Sequence, residues 1–285
     1  MFSFSDLNAI CALYERVKGL TLGKKEESVA ARFIRLFESH GVHRNQIPDV
    51  FNHGLTVADF VNVENLHEKL SGDVLDDACK LFAVRREWLL GASNQAYHLH
   101  SFDYRFEEIK EFIDKLEIFD GRICPILFVL KPKTDAGNVP FLLVFQECIK
   151  FIGDEPSPLY RYHVCSDFFY SSWKHRPYIT VFIANCVFHR IYVKGWAVPD
   201  KLILAASNGE IIPPLKELKK ISTLWNPDHM ALEPEVFLDG IRHGKHDALK
   251  LWLEFESKGF MKLGVGSKKE MEARLRFEQE LKKYL

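Results

Sequence analysis

The 285-residue chain has no apolar run able to cross a bilayer. Its longest, such as ICPILFVL at 123–130, fall far short of the roughly 20 residues a spanning helix needs. It also lacks surplus charge of either sign. Lys and Arg number 38 against 39 Asp and Glu, a formal net charge of −1, so no overall field draws the molecule to nucleic acid or membrane. The six cysteines (Cys11, Cys79, Cys124, Cys148, Cys165 and Cys186) never form C-x-x-C, and most sit in apolar runs. That usage fits reduced, buried thiols in a cytoplasmic protein better than a disulfide framework. The first residues carry Asp6 and no basic stretch ahead of an apolar one, which speaks against a secretory signal.

Catalytic signatures are missing too. There is no G-x-S-x-G elbow, no H-E-x-x-H and no Walker loop, and no segment resembles the serine motif of self-cleaving repressors. Gly264-Val265-Gly266-Ser267 precedes a helical pattern but lacks a third glycine, so it reads as a hinge with a helix cap. The close pairs His98/His100, His163/Cys165 and His243/His246 do not make the four converging ligands zinc wants. The expectation is a protein with no metal, no cofactor and no enzymatic activity.

Aromatic residues make up 13% of the chain, 23 of them Phe, which implies bulky cores or an apolar pocket. Residues 1–95 read as helical. Leu7, Ile10, Tyr14 and Val17 recur at helical spacing, and Ser28 precedes a stripe of Val29, Phe33, Leu36 and Phe37 that Gly41 stops. Shorter pieces follow at 45–51, 56–61 and 65–70, then 73–83 and 85–90, with Gly91 as cap. The polar stretch SNQAYHLHSFDY marks a domain boundary near residue 95.

Beyond it a helix over 104–117 precedes five β-rich runs, RICPILFVL, VPFLLVFQECIKFI, LYRYHVC, YITVFIANCVF and HRIYVKGWAV. No long helix separates them in this reading, which predicts an antiparallel sheet. Helices at 215–221, 235–243, 247–258 and 268–285 complete the chain, the last opened by a Ser267/Glu270 capping box. The expected class is therefore α+β with two domains, 1–95 helical and 96–285 a sheet with flanking helices and a helical tail.

Residues 28–92 resemble the lambda-repressor/Cro type of helix-turn-helix domain. The likeness is carried by Leu75, Ala78, Leu81 and Phe82, by the tight Ala83-Val84 connection, and by the ending Arg85-Arg86-Glu87-Trp88-Leu89-Leu90-Gly91. It implies a core of about 22–95 plugged by Trp88 and Leu89, a short second helix within 43–51 that accommodates Pro48, and a recognition helix at 55–62. Base contacts would fall to Thr56, Ala58 and Asn62, and phosphate contacts to Arg44, Asn45 and His53, with Arg32 or Arg35 as further candidates.

The implied function is a bacterial-type transcriptional regulator that binds double-stranded operator DNA as a homodimer. The amphipathic 248–255 would be its interface helix, or else pack within its own chain. Residues 1–95 carry 11 Lys plus Arg against 13 Asp plus Glu, so the alternative is a non-DNA interaction or adaptor protein using a degenerate version of the fold.

The second domain reads as a sensor, similar in architecture to PAS or GAF modules. Arg161, Lys174 and Arg176 with Trp173 would offer charge and stacking to an anionic effector. The plainer reading is a loop anchored by Trp173.

Overall fold

The computed structural model describes residues 27–102, 105–116, 118–134, 140–153, 157–211, 218 and 222–284. The expected helical face at Leu7–Val17, residue Cys11 and all of the 215–221 helix except Leu218 lie outside them. The chain divides into two compact units. One takes in residues up to 99 with 147–163 and 208–212, and the other 100–146, 164–207 and 213–285. The division is not a single cut, because the two 13-residue strands 140–152 and 157–169 each have residues in both units.

The first unit opens with α1 (Val29–Ser39), capped by the Ser28 hydroxyl accepting from the Ala31 N–H and stopped by Gly41 at φ 86°. A 3-10 turn (Arg44–Gln46) leads into α2 (Ile47–Val50), where Pro48 sits in the first turn, a place that needs no N–H donor. After the 3-10 turn Val57–Phe60 come α3 (Val63–Lys69), α4 (Gly72–Phe82) and α5 (Arg86–Leu89).

Phe33, Phe37, Phe51 and Phe82 form a connected ring cluster with centroids 5.0–5.8 Å apart. Leu89 is fully buried and Trp88 nearly so. Gly91 takes φ 84° just past α5, the left-handed conformation a C-terminal cap requires. The helical pieces thus sit where the periodicity put them. The segment expected as a full helix at 55–62, however, is a single 3-10 turn. Thr56 and Asp59 cap its start, it ends at Phe60, and Asn62 caps the next helix.

In the second unit α6 (Phe106–Asp114) covers part of a core that also holds Leu127, Val129, Phe141, Phe145, Phe182 and Met230. The six-stranded sheet has the order β1-β4-β3-β2-β5-β6, with β1 Leu99–His100, β2 Ile126–Pro132, β3 Pro140–Ile152, β4 Ser157–Phe169, β5 Tyr192–Val198 and β6 Thr223–Trp225. β2 pairs antiparallel with β3 (Phe128 opposite Val144) and parallel with β5 (Phe128 opposite Lys194), and β5 pairs antiparallel with β6.

The sheet is therefore mixed, which corrects the antiparallel expectation. The cause is α7 (His175–Phe188): YITVFIANCVF, read as a strand, is a helix. It is apolar on all sides because it is covered over most of its surface, and that erases the helical period in the sequence. As a crossover after β4 it is what lets β5 return parallel to β2.

Helix α8 (Asp200–Ser207) was not anticipated. α9 (Pro234–Leu238), α10 (Lys245–Ser257) and α11 (Ser267–Leu281) close the unit. The proposed interface residues on α10, Ala248, Leu249, Trp252 and Phe255, are buried with Phe237 and Phe277 in a core of the same chain. Trp252 stacks on Phe277 at 3.6 Å and 4°. The Ser267/Glu270 capping box does not form. Gly266 is the cap residue, and Glu270 accepts instead from the N–H groups of Leu263 and Gly264. The cysteines among the described residues are all unpaired.

Candidate functional site

The stretch expected to read DNA lies at the surface, but its polar groups are engaged within the chain. Thr56 donates its N–H and its hydroxyl to the Asp59 carboxylate at 2.7 and 2.9 Å. Those bonds hold the Asp59 carboxyl below its ordinary range, the backbone N–H acting most strongly. Asn62 accepts the Glu64 N–H at 2.9 Å as the cap of α3. Ala58 is exposed.

Arg44 pairs with Glu38 at 3.1 Å. His53 stacks on Phe51 at 4.2 Å and faces Asp77 at 3.5 Å, while Asn45 is exposed in the turn before α2. Arg32 donates to the Trp88 carbonyl and is buried, and Arg35 lies over the Trp88 ring and pairs with Glu27 at 2.9 Å. Burial lowers the Arg35 pKa. Neither reaches outward for a phosphate.

The electrostatics point the same way. Residues 43–77 hold seven acids, Asp49, Asp59, Glu64, Glu68, Asp73, Asp76 and Asp77, against Arg44 and Lys69, with Asp76 and Asp77 answered by Arg86 and Lys80. Asp49, Glu64, Glu68 and Asp73 are exposed. A duplex carries a negative charge every ~1.7 Å of its axis, so this surface would repel it. What the surface does present is apolar: Val57, Val61 and Val63 are 49%, 84% and 42% exposed around the 3-10 turn. Three valines within seven residues, left in water beside acidic groups, stand out as a contact surface.

No protein-family model, no curated protein and no solved structure matches the chain.

The residues expected to hold an effector fall in different units. Arg161 lies in the first unit, where β3 and β4 bring it to the fully buried Glu147, and its Nε and guanidinium nitrogen donate at 2.6 and 2.9 Å. His163, two residues along β4, reaches the same carboxylate at 2.8 Å. Arg176 is in the second unit and fully buried. It donates to the carbonyls of Phe237 (2.6 Å), Asp239 (2.7 Å) and Tyr170, and stacks over the Tyr170 ring at 4.1 Å. It ties the start of α7 to the end of α9.

Trp173 packs against the core of α10 and so tightly on Gly244 that a Cβ there would meet its ring at 2.4 Å. Lys174 is exposed, 5.6 Å from the Trp173 ring. Trp173 thus anchors its loop, and the hydrogen bonds of Arg161 and Arg176 run to groups of the chain itself.

Two polar clusters were not anticipated. Lys131, at the end of β2, donates to Asp239 at 2.6 Å and to the Tyr170 hydroxyl at 3.0 Å, and Tyr170 also donates to Asp239. The other centres on His40. Its Nδ1 faces the Leu36 carbonyl at 2.8 Å, while its Nε2 is shielded and has no partner, with the Phe82, Tyr97 and Tyr162 rings 4.2–6.4 Å away. Burial drives its pKa from 6.5 to about 4. A helix-end histidine carries no sequence mark of such enclosure, and Lys131 and Asp239 are 108 residues apart, beyond any local pattern.

Proposed function

We propose that the protein is a non-catalytic interaction protein. Its helical unit offers the valine turn 57–63, set in an acidic surface, to a cationic and partly apolar protein segment, and the sheet unit serves as the supporting body. The observation that carries this reading is the exposure of Val57, Val61 and Val63 on a stretch with seven acids and two bases. A partner with basic residues flanking apolar ones would gain long-range attraction from the acids and area burial from the valines. The operator-binding alternative needs Arg44, Thr56 and Asn62 to be released, since each, though exposed, is engaged by Glu38, Asp59 or the start of α3.

The test is a pair of fluorescence anisotropy titrations, one with a labelled helical Lys/Leu model peptide and one with a labelled random-sequence duplex. The peptide should bind, and Val61→Ser should weaken it by about tenfold without unfolding the protein, since the side chain is already in water. Duplex binding that falls steeply with salt and is lost in Arg44→Ala would overturn the proposal in favour of a DNA reader.

A further inference from the structure

Another surface that leaves apolar groups in water is on α11. Met271 and Leu275 are 61% and 51% exposed and lie one turn apart on one side of the helix. Lys268 precedes them by a turn and Lys282 follows them by two, both exposed, with Lys269 and Lys283 alongside. Over residues 267–284 six bases stand against four acids. Arg274, Arg276 and Lys283 are paired, with Glu256 and Glu278, with Glu235 and with Glu280 respectively, which leaves Lys268, Lys269 and Lys282 as the exposed cations against an exposed Glu272. Ala273 and Phe277 hold the opposite face of the helix in the core, which fixes the Met271/Leu275 stripe outward.

This stripe has the chemistry the valine turn asks for, with two apolar side chains in the centre and cations at both ends. The geometry points to self-association: the α11 stripe of a second copy seats on the Val57–Val61–Val63 turn, with Lys268 and Lys282 facing Glu64, Glu68 and Asp49. This rests on the function proposed above and names its partner as another copy of the chain. Because the two surfaces differ, the contact is heterologous, each copy offering one face of each kind. Three exposed valines against one Met and one Leu make a small contact, so association is weak and salt-sensitive.

The experiment is sedimentation velocity on the full chain over a range of protein concentration and salt. Wild type should associate reversibly and dissociate as salt rises, and Val61→Ser and Leu275→Ser should each weaken association by about tenfold. The decisive arm mixes these two variants. The Val61→Ser copy still has an intact stripe and the Leu275→Ser copy an intact turn, so the mixture should form a heterodimer that neither forms alone.

Charge reversal gives a second check, in which Glu64→Lys weakens association and adding Lys268→Glu restores it. A chain monomeric at every concentration, or association that neither serine variant alters, overturns the inference. Association that both variants lose but mixing does not restore overturns it as well. If the chain stays monomeric while the Lys/Leu peptide binds through Val61, the proposed function stands and only the self-partner fails. If neither is seen, both fail.

Discussion

At the scale of single residues, His40 and Glu147 place the heaviest demands on their surroundings. His40 is held neutral because its ring is enclosed by Phe82, Tyr97 and Tyr162, and its pKa falls from 6.5 to about 4. Between those two values the unfolded chain binds a proton that the folded chain refuses. Stability therefore declines as pH drops from 6.5 toward about 4 and levels off below, a loss of about 2–3 kcal/mol from this group. Urea unfolding of wild type and His40→Gln at pH 7 and pH 4.5 should show the variant losing less between the two.

Glu147 answers two bases from within the protein, Arg161 and His163. Glu147→Ala leaves a guanidinium without its carboxylate and should destabilise by about 3–5 kcal/mol. A midpoint within 1 kcal/mol of wild type in the same unfolding assay would contradict the pairing. The sequence showed Arg161 as a candidate ligand group because the buried acid that claims it lies 14 residues away on another strand, and strand register is not visible in one chain.

At the scale of elements, local chemistry was a good guide wherever one face met water. Ser28, Gly41 and Gly91 mark helix ends in the sequence and do so in the structure, and the stripe of α1 points its phenylalanines inward. It misled where an element is covered over most of its surface, as in α7, whose Ile179, Thr180, Val181 and Ile183 copy the composition of a strand. It also misled at 55–62, where the Thr56/Asp59 cap that signals a helix start closes only one 3-10 turn.

Two substitutions probe this scale. Trp88→Ala removes the plug of the first unit and should cost about 3–5 kcal/mol, read as a fall in the unfolding midpoint of that unit. Gly195→Ala would bring a Cβ within 2.6 Å of the Trp225 carbonyl where β5 pairs with β6. It should loosen β6 by about 1–3 kcal/mol, visible as faster amide exchange at Thr223–Trp225.

At the scale of the whole molecule, a net charge of −1 conceals an uneven distribution. The stretch 43–77 concentrates acid around the valine turn, while the exposed ends of α11 concentrate lysine. No helix among the described residues is long and apolar enough to cross a membrane. Counting charge over residues 1–95 already showed a small acidic excess. What remained hidden was that the three valines end up outside, because a helix at 55–62 would have turned part of them in.

The most direct test is a valine-methyl NMR titration of the full chain with the Lys/Leu peptide and, separately, with duplex DNA. The account predicts that Val57, Val61 and Val63 methyls shift with peptide while buried Val74 and Val129 stay, and that DNA moves none of them. Shifts of the 57–63 methyls on adding DNA, or their indifference to the peptide, would contradict it.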